Sequence, residues 1–307
     1  MRILVTGASG LLGINLALEA SLDHEVYGLV HSHALQAKSF TVIQGDLRIQ
    51  GTAERILEQV QPDWVIHCAA LANLDACETD PAQAKKMNTE IPHQLAKLVA
   101  RGGARLLHVS TDSVFDGQRG NYSEEDRPNP LGIYSLTKLE GEYAVAEANS
   151  DAIIARVVFY GFSLSGKRSL GEFFLYNLQA SRPVMGFTDV YFCPLLANDL
   201  AHIFLKMLAL QLSGLFHVVS RQCISKYAFG AAIAQRFGLD ASLIQPTSVG
   251  QAGLAATRSP NLTLRSDKLV ASLGEAPPDI ISGVEKFHSL YLQGYSARLR
   301  GMAHSKR

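Results

Sequence analysis

Tyr134 and Lys138 are the side chains of this sequence best spaced to transfer a proton. On a helix, residues four apart lie one turn apart on the same face. A tyrosine whose pKa is about 10 is a poor proton donor or acceptor at neutral pH, and a neighbouring ammonium group lowers that pKa towards the working range. The spacing alone is weak support, because ten tyrosines in 307 residues make a chance match common.

Thr111 adds a hydroxyl that the predicted fold brings to the same region. It follows the apolar run Leu106–Ser110, which predicts a buried strand. Ligands of open α/β sheets bind at the carboxyl ends of the strands. The Thr111 hydroxyl is therefore expected to emerge where a ligand binds.

The first residues predict a dinucleotide site. The apolar run Arg2–Thr6 is followed by Gly7, Gly10 and Gly13, and a helical pattern begins at Ile14. Such glycines allow a tight turn and close approach of the backbone to a pyrophosphate, which the helix N-terminus faces. The same glycines can form a simple turn, but their place at the very N-terminus favours cofactor binding.

The second apolar run, Glu25–Val30, ends in His31, Ser32 and His33. Enzymes that use NAD usually carry a carboxylate about 20 residues after the glycines, where it binds the ribose 2′-hydroxyl. The next acid here is Asp46, whereas histidine and serine accommodate a 2′-phosphate. NADP(H) is therefore favoured over NAD(H), with ordinary loop residues as the alternative.

Strand patterns alternate with helical ones through the first half of the chain, with further apolar runs at 41–44, 64–68, 106–110 and 153–159. This alternation predicts an α/β fold, a Rossmann-like doubly wound parallel sheet with helices on both faces. Ala69 and Ala70 follow one strand, where small side chains suit either a flat cofactor or tight packing. The predicted divisions are an NADP-binding domain at 1–160 that 195–219 rejoins, a smaller α/β C-terminal substrate lobe at 161–194 and 220–295, and a frayed tail at 296–307.

Composition excludes several classes of function. The 28 basic and 28 acidic residues balance, and no basic run interleaves with aromatic residues, so nucleic acid is not expected as a partner. No stretch predicts a membrane span, and the immediate first strand leaves no room for a signal peptide, so a cytoplasmic location is expected. Four cysteines without a CxxC pair predict reduced thiols and no metal site: Cys68, Cys77, Cys193 and Cys223.

Taken together, the motifs resemble the extended short-chain dehydrogenase/reductases, and more narrowly the dTDP-4-dehydrorhamnose reductases and their relatives. The matching blocks are GASGLLG, PDWVIHCAA, DACETDPAQAKKMN, STDSVFDG, NPLGIYSLTKLEGE and a looser FTDVYFCPLLANDLA, which span about 1–205. A fainter match is ATRSPNLTLRSDKL at 256–269. The resemblance is specific over the first 145 residues and weak in the substrate half.

The resemblance implies a role for each motif residue. Thr111 hydrogen-bonds the substrate carbonyl, Tyr134 protonates its oxygen, and Lys138 holds the nicotinamide ribose and lowers the pKa of Tyr134. The implied cofactor site comprises Gly7, Ser9, Gly10, Leu11, Leu12, Gly13, His31, Ser32, Asp46, Leu47, Cys68, Ala69, Ala70, Ser110, Tyr134, Lys138 and Phe159. The implied substrate-binding residues are Ser113, Val114, Phe115 and Arg258, with Lys167 as a second candidate beside Arg258 for the substrate diphosphate.

Three functions are compatible with these residues. The first is reduction of a nucleotide-linked 4-keto-6-deoxysugar by NADPH. The second is epimerisation or reduction of another nucleotide sugar, because family reductases commonly have tyrosine where this chain has Ser113, and often a tryptophan near Phe159. The third is a non-catalytic cofactor-binding subunit that resembles the β subunit of methionine adenosyltransferase. The related 4,6-dehydratases carry Thr-Asp-Glu, and Ser113 in place of that glutamate disfavours dehydration. Many relatives are dimers, and the sequence leaves a homodimer open.

Overall fold

The computed structural model describes residues 1–32, 35–251 and 259–303. Its strands are β1 (Arg2–Thr6), β2 (Glu25–Val30), β3 (Thr41–Gln44), β4 (Trp64–His67), β5 (Arg105–Thr111), β6 (Ile153–Val157), β7 (Phe159–Tyr160), β8 (Val184–Phe187), β9 (Tyr191–Phe192), β10 (Leu195–Leu196), β11 (Gly214–Val218), β12 (Ile224–Ser225) and β13 (Ile244–Thr247). Its α-helices are α1 (Leu11–Ala20), α2 (Thr52–Val60), α3 (Leu74–Thr79), α4 (Pro81–Lys85), α5 (Ile91–Gly102), α6 (Ile133–Ala148), α7 (Leu170–Gln179), α8 (Ala197–Ala209), α9 (Lys226–Phe237), α10 (Asp267–Leu273), α11 (Ile280–Leu292) and α12 (Tyr295–Met302). A π-helix covers Lys86–Glu90, and 3-10 helices cover Asp112–Val114, Ala241–Leu243 and Val249–Gln251.

Seven strands form one parallel sheet in the order β11-β6-β5-β4-β1-β2-β3. The central strands are buried on both faces, which explains why they are continuous apolar runs rather than alternating ones. In β1, for example, Ile3, Leu4 and Val5 are all buried. The predicted doubly wound α/β fold is confirmed.

The chain reverses direction across the sheet between β1 and β4. From β1 it proceeds to β2 and β3 on one side, and it then crosses to β4, β5, β6 and β11 on the other. Such a reversal opens a crevice at the carboxyl ends of the strands, where doubly wound folds bind nucleotides.

Helices cover each face of the sheet with a separate apolar core. On one face, Ile14 of α1 and Phe204 of α8 pack in the cluster that contains Ile3. On the other face, Leu95 of α5 and Val145 of α6 pack in the cluster that contains Leu4. The second face therefore carries the helix in which Tyr134 and Lys138 lie.

The later half adds three two-stranded sheets, which pair β7 with β10, β9 with β12, and β8 with β13. Antiparallel pairing of β9 and β12 sets Cys193 opposite Cys223, and a disulfide joins them. The prediction of reduced thiols is wrong for these two cysteines, because the pairing brings together residues that lie 30 apart in the chain. Cys68 and Cys77 are free.

The predicted tail differs from the structure at its start. Residues Tyr295–Met302 form α12, in which Leu299 is fully buried and the Tyr295 hydroxyl donates to Asn15 Oδ1 at 2.8 Å. Apolar residues at helical spacing among the arginines explain the difference. The division of the chain into a cofactor domain and a substrate lobe remains a prediction. Within the described ranges, no helix has the length and apolar character needed to cross a bilayer.

Candidate active site

The sheet brings the predicted site residues to one edge. The glycine turn follows β1, and His31 and Ser32 follow β2. Asp46 and Leu47 follow β3, and Cys68 to Ala70 follow β4. Ser110 and Thr111 end β5 itself. These strands are parallel, so all of these residues lie at the carboxyl edge on either side of the reversal.

Two glycines near the turn after β1, Gly7 and Gly13, leave no room for a side chain. Gly7 has a φ of +69°, and a Cβ there would lie 2.8 Å from the backbone nitrogen of Ala69. A Cβ on Gly13 would lie 2.3 Å from the carbonyl oxygen of Gly7. No side chain caps the N-terminus of α1, where Gly10 is the N-cap residue and Leu11 and Leu12 begin the helix. The backbone N–H groups of this first turn therefore fit a dinucleotide pyrophosphate.

A cationic group stands at the ends of β2 and β3. The Arg48 guanidinium donates to both carboxylate oxygens of Asp46 at 2.8 to 3.1 Å, and its Nη2 contacts His31 Nε2 at 3.0 Å. Hydrogen bonding from Arg48 lowers the pKa of Asp46 to about 2. Arg48 was not predicted as a site residue from the sequence, because only the pairing of β2 with β3 brings it beside His31.

A buried amide holds the segment after β4. Asn88, in the π-helix, donates to the Leu71 carbonyl at 3.1 Å and accepts from the Leu71 N–H at 2.9 Å. It also donates to Thr137 of α6 at 3.1 Å. These bonds fix the Ala69–Ala70 segment relative to the helix that carries Tyr134. Burial raises the pKa of the Cys68 thiol to about 12, although the Lys138 ammonium opposes the rise.

The N-terminus of α6 is held from outside the helix. Its N-cap residue, Gly132, has no side chain to bond the first N–H groups. The Glu78 carboxylate of α3 instead accepts from the Ile133 N–H at 2.8 Å. A carboxylate at this end is also favoured by the helix dipole. Glu78 therefore fixes the turn that contains Tyr134.

Tyr134 lies beside Thr111 and is protonated at neutral pH. Burial raises the pKa of Tyr134 to about 12, and a hydrogen bond with the Thr111 side chain opposes that rise. The expected lowering by Lys138 is wrong, because Lys138 is not among the groups that shift the pKa of Tyr134. The phenol is thus a proton donor at neutral pH, whereas the Thr111 hydroxyl beside it donates to the Asp112 carboxylate at 3.1 Å.

Lys138 lies one turn further along α6, buried between the helix and β5. Its Nζ donates to the Val109 carbonyl at 2.7 Å and lies 3.4 Å from His108 Nε2. Burial lowers the pKa of Lys138 to about 8, while Glu142 opposes the change. The Glu142 carboxylate itself bonds Ser110 and the buried Arg156. Ser110, predicted to bind cofactor, thus makes its side-chain contact with α6.

A cavity of about 560 Å³ opens in front of Tyr134. Ser113, Asp112, Phe192 and Lys226 line it as well. Burial raises the pKa of the Asp112 carboxyl to about 6, although Thr111 and Ser113 donate hydrogen bonds to it. Sequence analysis missed Lys226, because a helix of the weakly matched half brings it to the cavity. A larger cavity of about 860 Å³ lies at the amino ends of the strands, away from Tyr134.

Other predicted residues lie elsewhere. Val114 and Phe115, predicted to bind substrate, are fully buried, and Phe115 stacks on Tyr122 with ring centroids 4.1 Å apart. Their apolar side chains belong to a core cluster and do not line the cavity. Phe159 is partly buried against the main core, and Lys167 is exposed outside the cavity lining. Arg258 and His33 lie outside the described residues. No described group of three or more histidine, cysteine or acidic side chains could hold a metal ion.

Comparison with known proteins agrees with this geometry. The family model of the RmlD substrate binding domain matches residues 1–292. The chain belongs to that family. The predicted resemblance to the dTDP-4-dehydrorhamnose reductases is therefore confirmed, and the protein is an NAD(P)-dependent oxidoreductase of the extended short-chain type.

Individual relatives of this family member differ in function. A probable low-salt glycan biosynthesis reductase, Agl14 of Haloferax volcanii, is 32% identical over 91% of this chain and 95% of its own. Methionine adenosyltransferase 2 subunit beta of Pongo abelii is 32% identical over 90% of this chain and 84% of its own. The crystal structure of a dTDP-4-dehydrorhamnose reductase from Clostridium acetobutylicum superimposes with a TM-score of 0.82 and 26% identity, over 95% of this chain and 100% of that one.

Proposed function

We propose that this protein uses NADPH to reduce the 4-keto group of a nucleotide-linked 6-deoxysugar, with dTDP-4-dehydrorhamnose as the first substrate to test. The observation that carries the proposal is Tyr134, a phenol that is protonated at neutral pH and lines the 560 Å³ cavity. A ketone that entered this cavity would meet this proton donor, and the Ser113 hydroxyl belongs to the same cavity wall. A proton donor in this position suits reduction of a carbonyl better than epimerisation or dehydration of the sugar.

In the proposed reaction the carbonyl carbon gains a hydride and the carbonyl oxygen gains a proton. The nicotinamide, when bound, supplies the hydride. Tyr134 gives its hydroxyl proton to the oxygen and becomes a tyrosinate. The buried Lys138 ammonium lies one turn further along the same helix. The products are an alcohol and the oxidised cofactor, so one NADPH is consumed for each sugar.

Support for NADPH rather than NADH comes from the groups at the ends of β2 and β3. Arg48 and His31 contact each other at 3.0 Å, and His31 is the first residue after β2. A guanidinium group and an imidazole favour a 2′-phosphate over the 2′-hydroxyl of NAD. We assign both side chains to the adenosine ribose of NADP(H).

Lys226 is our candidate for the phosphate groups of the substrate. It begins α9 and lines the same cavity as Asp112, and its charge lowers the pKa of that carboxyl. A nucleotide sugar carries two phosphates and needs at least one such partner.

The direct test compares two tyrosines of α6. Tyr134→Phe removes the proposed proton donor, and we expect turnover of dTDP-4-dehydrorhamnose to fall by about a hundredfold or more while NADPH still binds. Tyr143→Phe is the matched control, because Tyr143 lies on the same helix with 60% of its side chain exposed. Full activity of Tyr134→Phe would contradict the proposal.

A regulatory subunit is the second candidate, and the similarity to the methionine adenosyltransferase subunit is what favours it. Such a protein would bind NADPH, copurify with a second enzyme and turn over no keto-sugar. The comparison of Tyr134→Phe with wild type separates the two functions, because only a reductase has turnover to lose.

A further inference from the structure

Three polar side chains form a row inside the parallel sheet. Thr6 of β1 pairs in register with His67 of β4, and His67 pairs with His108 of β5. All three are almost completely buried, and the two imidazole rings stack with centroids 5.5 Å apart. Buried polar groups need a reason, since apolar residues fill the equivalent positions of the adjoining strands at lower cost.

The row ends at the lysine of the active site. His108 Nε2 lies 3.4 Å from Lys138 Nζ, whereas His67 Nδ1 bonds the Thr6 hydroxyl at 2.7 Å. The two histidines are therefore equally buried, but only one of them contacts Lys138. An ammonium group has three hydrogens and accepts none, so the atom that faces it must be an unprotonated nitrogen.

Both histidines stay neutral. Burial lowers the pKa of His67 to about 3 and that of His108 well below its ordinary value, and the nearby Lys138 lowers both further. The other ionisable groups around Lys138 are Glu142 and Cys68, and the Glu142 carboxylate is bonded by Arg156 and Ser110. Since Glu142 is occupied in this way, the ammonium relies on neutral acceptors for its hydrogen bonds.

We infer that His108 is a positioning residue for Lys138: its Nε2 and the Val109 carbonyl each accept one ammonium hydrogen, which leaves the third for the cofactor. His108 thereby keeps a buried lysine charged as well as oriented. The inference rests on the proposed function only in that it takes Lys138 as part of the reaction site.

The test follows the pH at which Lys138 loses its proton. We would measure NADPH affinity and kcat/KM against pH for wild type, His108→Leu, His108→Gln and His67→Leu. Loss of a hydrogen bond to a charged group should lower, by about one unit, the pH at which the NADPH affinity and kcat/KM of His108→Leu fall. Above that pH, both quantities should be about tenfold smaller than those of wild type. His108→Gln restores an acceptor and should return the profile towards wild type.

His67→Leu is the matched control, because it removes an equally buried imidazole that does not contact Lys138. Its NADPH affinity and kcat/KM should fall at the same pH as those of wild type. Thermal unfolding of all variants shows whether they fold. The inference is overturned if His108→Leu and His67→Leu share one profile, or if wild type shows no fall below about pH 10, where an unperturbed lysine titrates. NADPH affinity needs no sugar, so failure of the proposed reductase function would still leave this test readable.

Discussion

Arg156 and Glu142 form a bidentate ion pair inside the protein, with N–O distances of 2.7 to 3.2 Å and neither side chain more than 3% exposed. The pair joins β6 to α6, and Ser110 of β5 donates to the same carboxylate at 2.5 Å. It therefore ties the helix of Tyr134 and Lys138 to two strands of the sheet.

Breaking this pair should destabilise the fold strongly. Arg156→Met leaves the Glu142 carboxylate buried without its partner, and we expect the free energy of unfolding to fall by about 3–5 kcal/mol. The double variant Arg156→Met/Glu142→Met should recover much of that loss, because no unpaired charge remains. Urea denaturation measures both, with Glu90→Gln of the exposed Lys86–Glu90 pair as the control that should change by less than about 1 kcal/mol. Equal losses in the single and double variants would contradict this account.

The contact between Glu78 and the Ile133 N–H is expected to affect kcat. Glu78→Ala removes the acceptor at the N-terminus of α6, which costs about 1 kcal/mol and loosens the turn of Tyr134. We expect kcat to fall severalfold with little change in NADPH affinity. Glu78→Gln keeps an oxygen acceptor and should retain most of the activity. If kcat of Glu78→Ala equals that of wild type, this contact does not position Tyr134.

Arg48 is expected to make the protein bind NADPH in preference to NADH. Arg48→Gln removes the guanidinium beside His31, and we expect NADPH affinity to fall by about tenfold or more, the loss typical of a charge-assisted hydrogen bond. NADH affinity should change little. Arg55→Gln, an exposed arginine of α2, is the control. Fluorescence titration measures the affinity for each cofactor. A parallel loss of NADH and NADPH affinity would show that Arg48 does not bind the 2′-phosphate.

The disulfide predicts a thiol count. Protein unfolded without reductant should react at two cysteines, Cys68 and Cys77, and at four after reduction. Reduction should also lower stability by about 3 kcal/mol, the loss typical of a loop of this length. Titration with a thiol reagent measures the first effect and thermal unfolding the second. Four reactive thiols before reduction would show that the bond is absent.

The fold and much of the site follow from local patterns in the sequence. The continuous apolar runs predict the central strands because both faces of a parallel sheet are buried, and the glycines after β1 predict the phosphate turn because no side chain fits there. Tyr134 and Lys138 were predictable for the same reason, since a helical spacing of four is a local property.

Residues that act across the fold were not predictable in this way. Glu78 contacts Ile133 across 55 residues of sequence. Lys226 reaches the cavity from the later half, whose strands other than β11 are only two to four residues long. In the sequence, His108 is one polar residue of an apolar strand. Only the pairing of β5 in the sheet and the packing of α6 against it bring His108 next to Lys138. Val114 and Phe115 failed as substrate ligands because their place next to Ser113 in sequence does not reveal which way they face.

The most direct test of the reductase is its stoichiometry. Purified protein is given NADPH and dTDP-4-dehydrorhamnose, and NADPH oxidation is measured together with the sugar product. We predict one NADPH oxidised for each 4-hydroxy sugar formed. An isomerised sugar without net loss of NADPH, or NADPH binding with no product at all, would contradict the account and favour an epimerase or a regulatory subunit respectively.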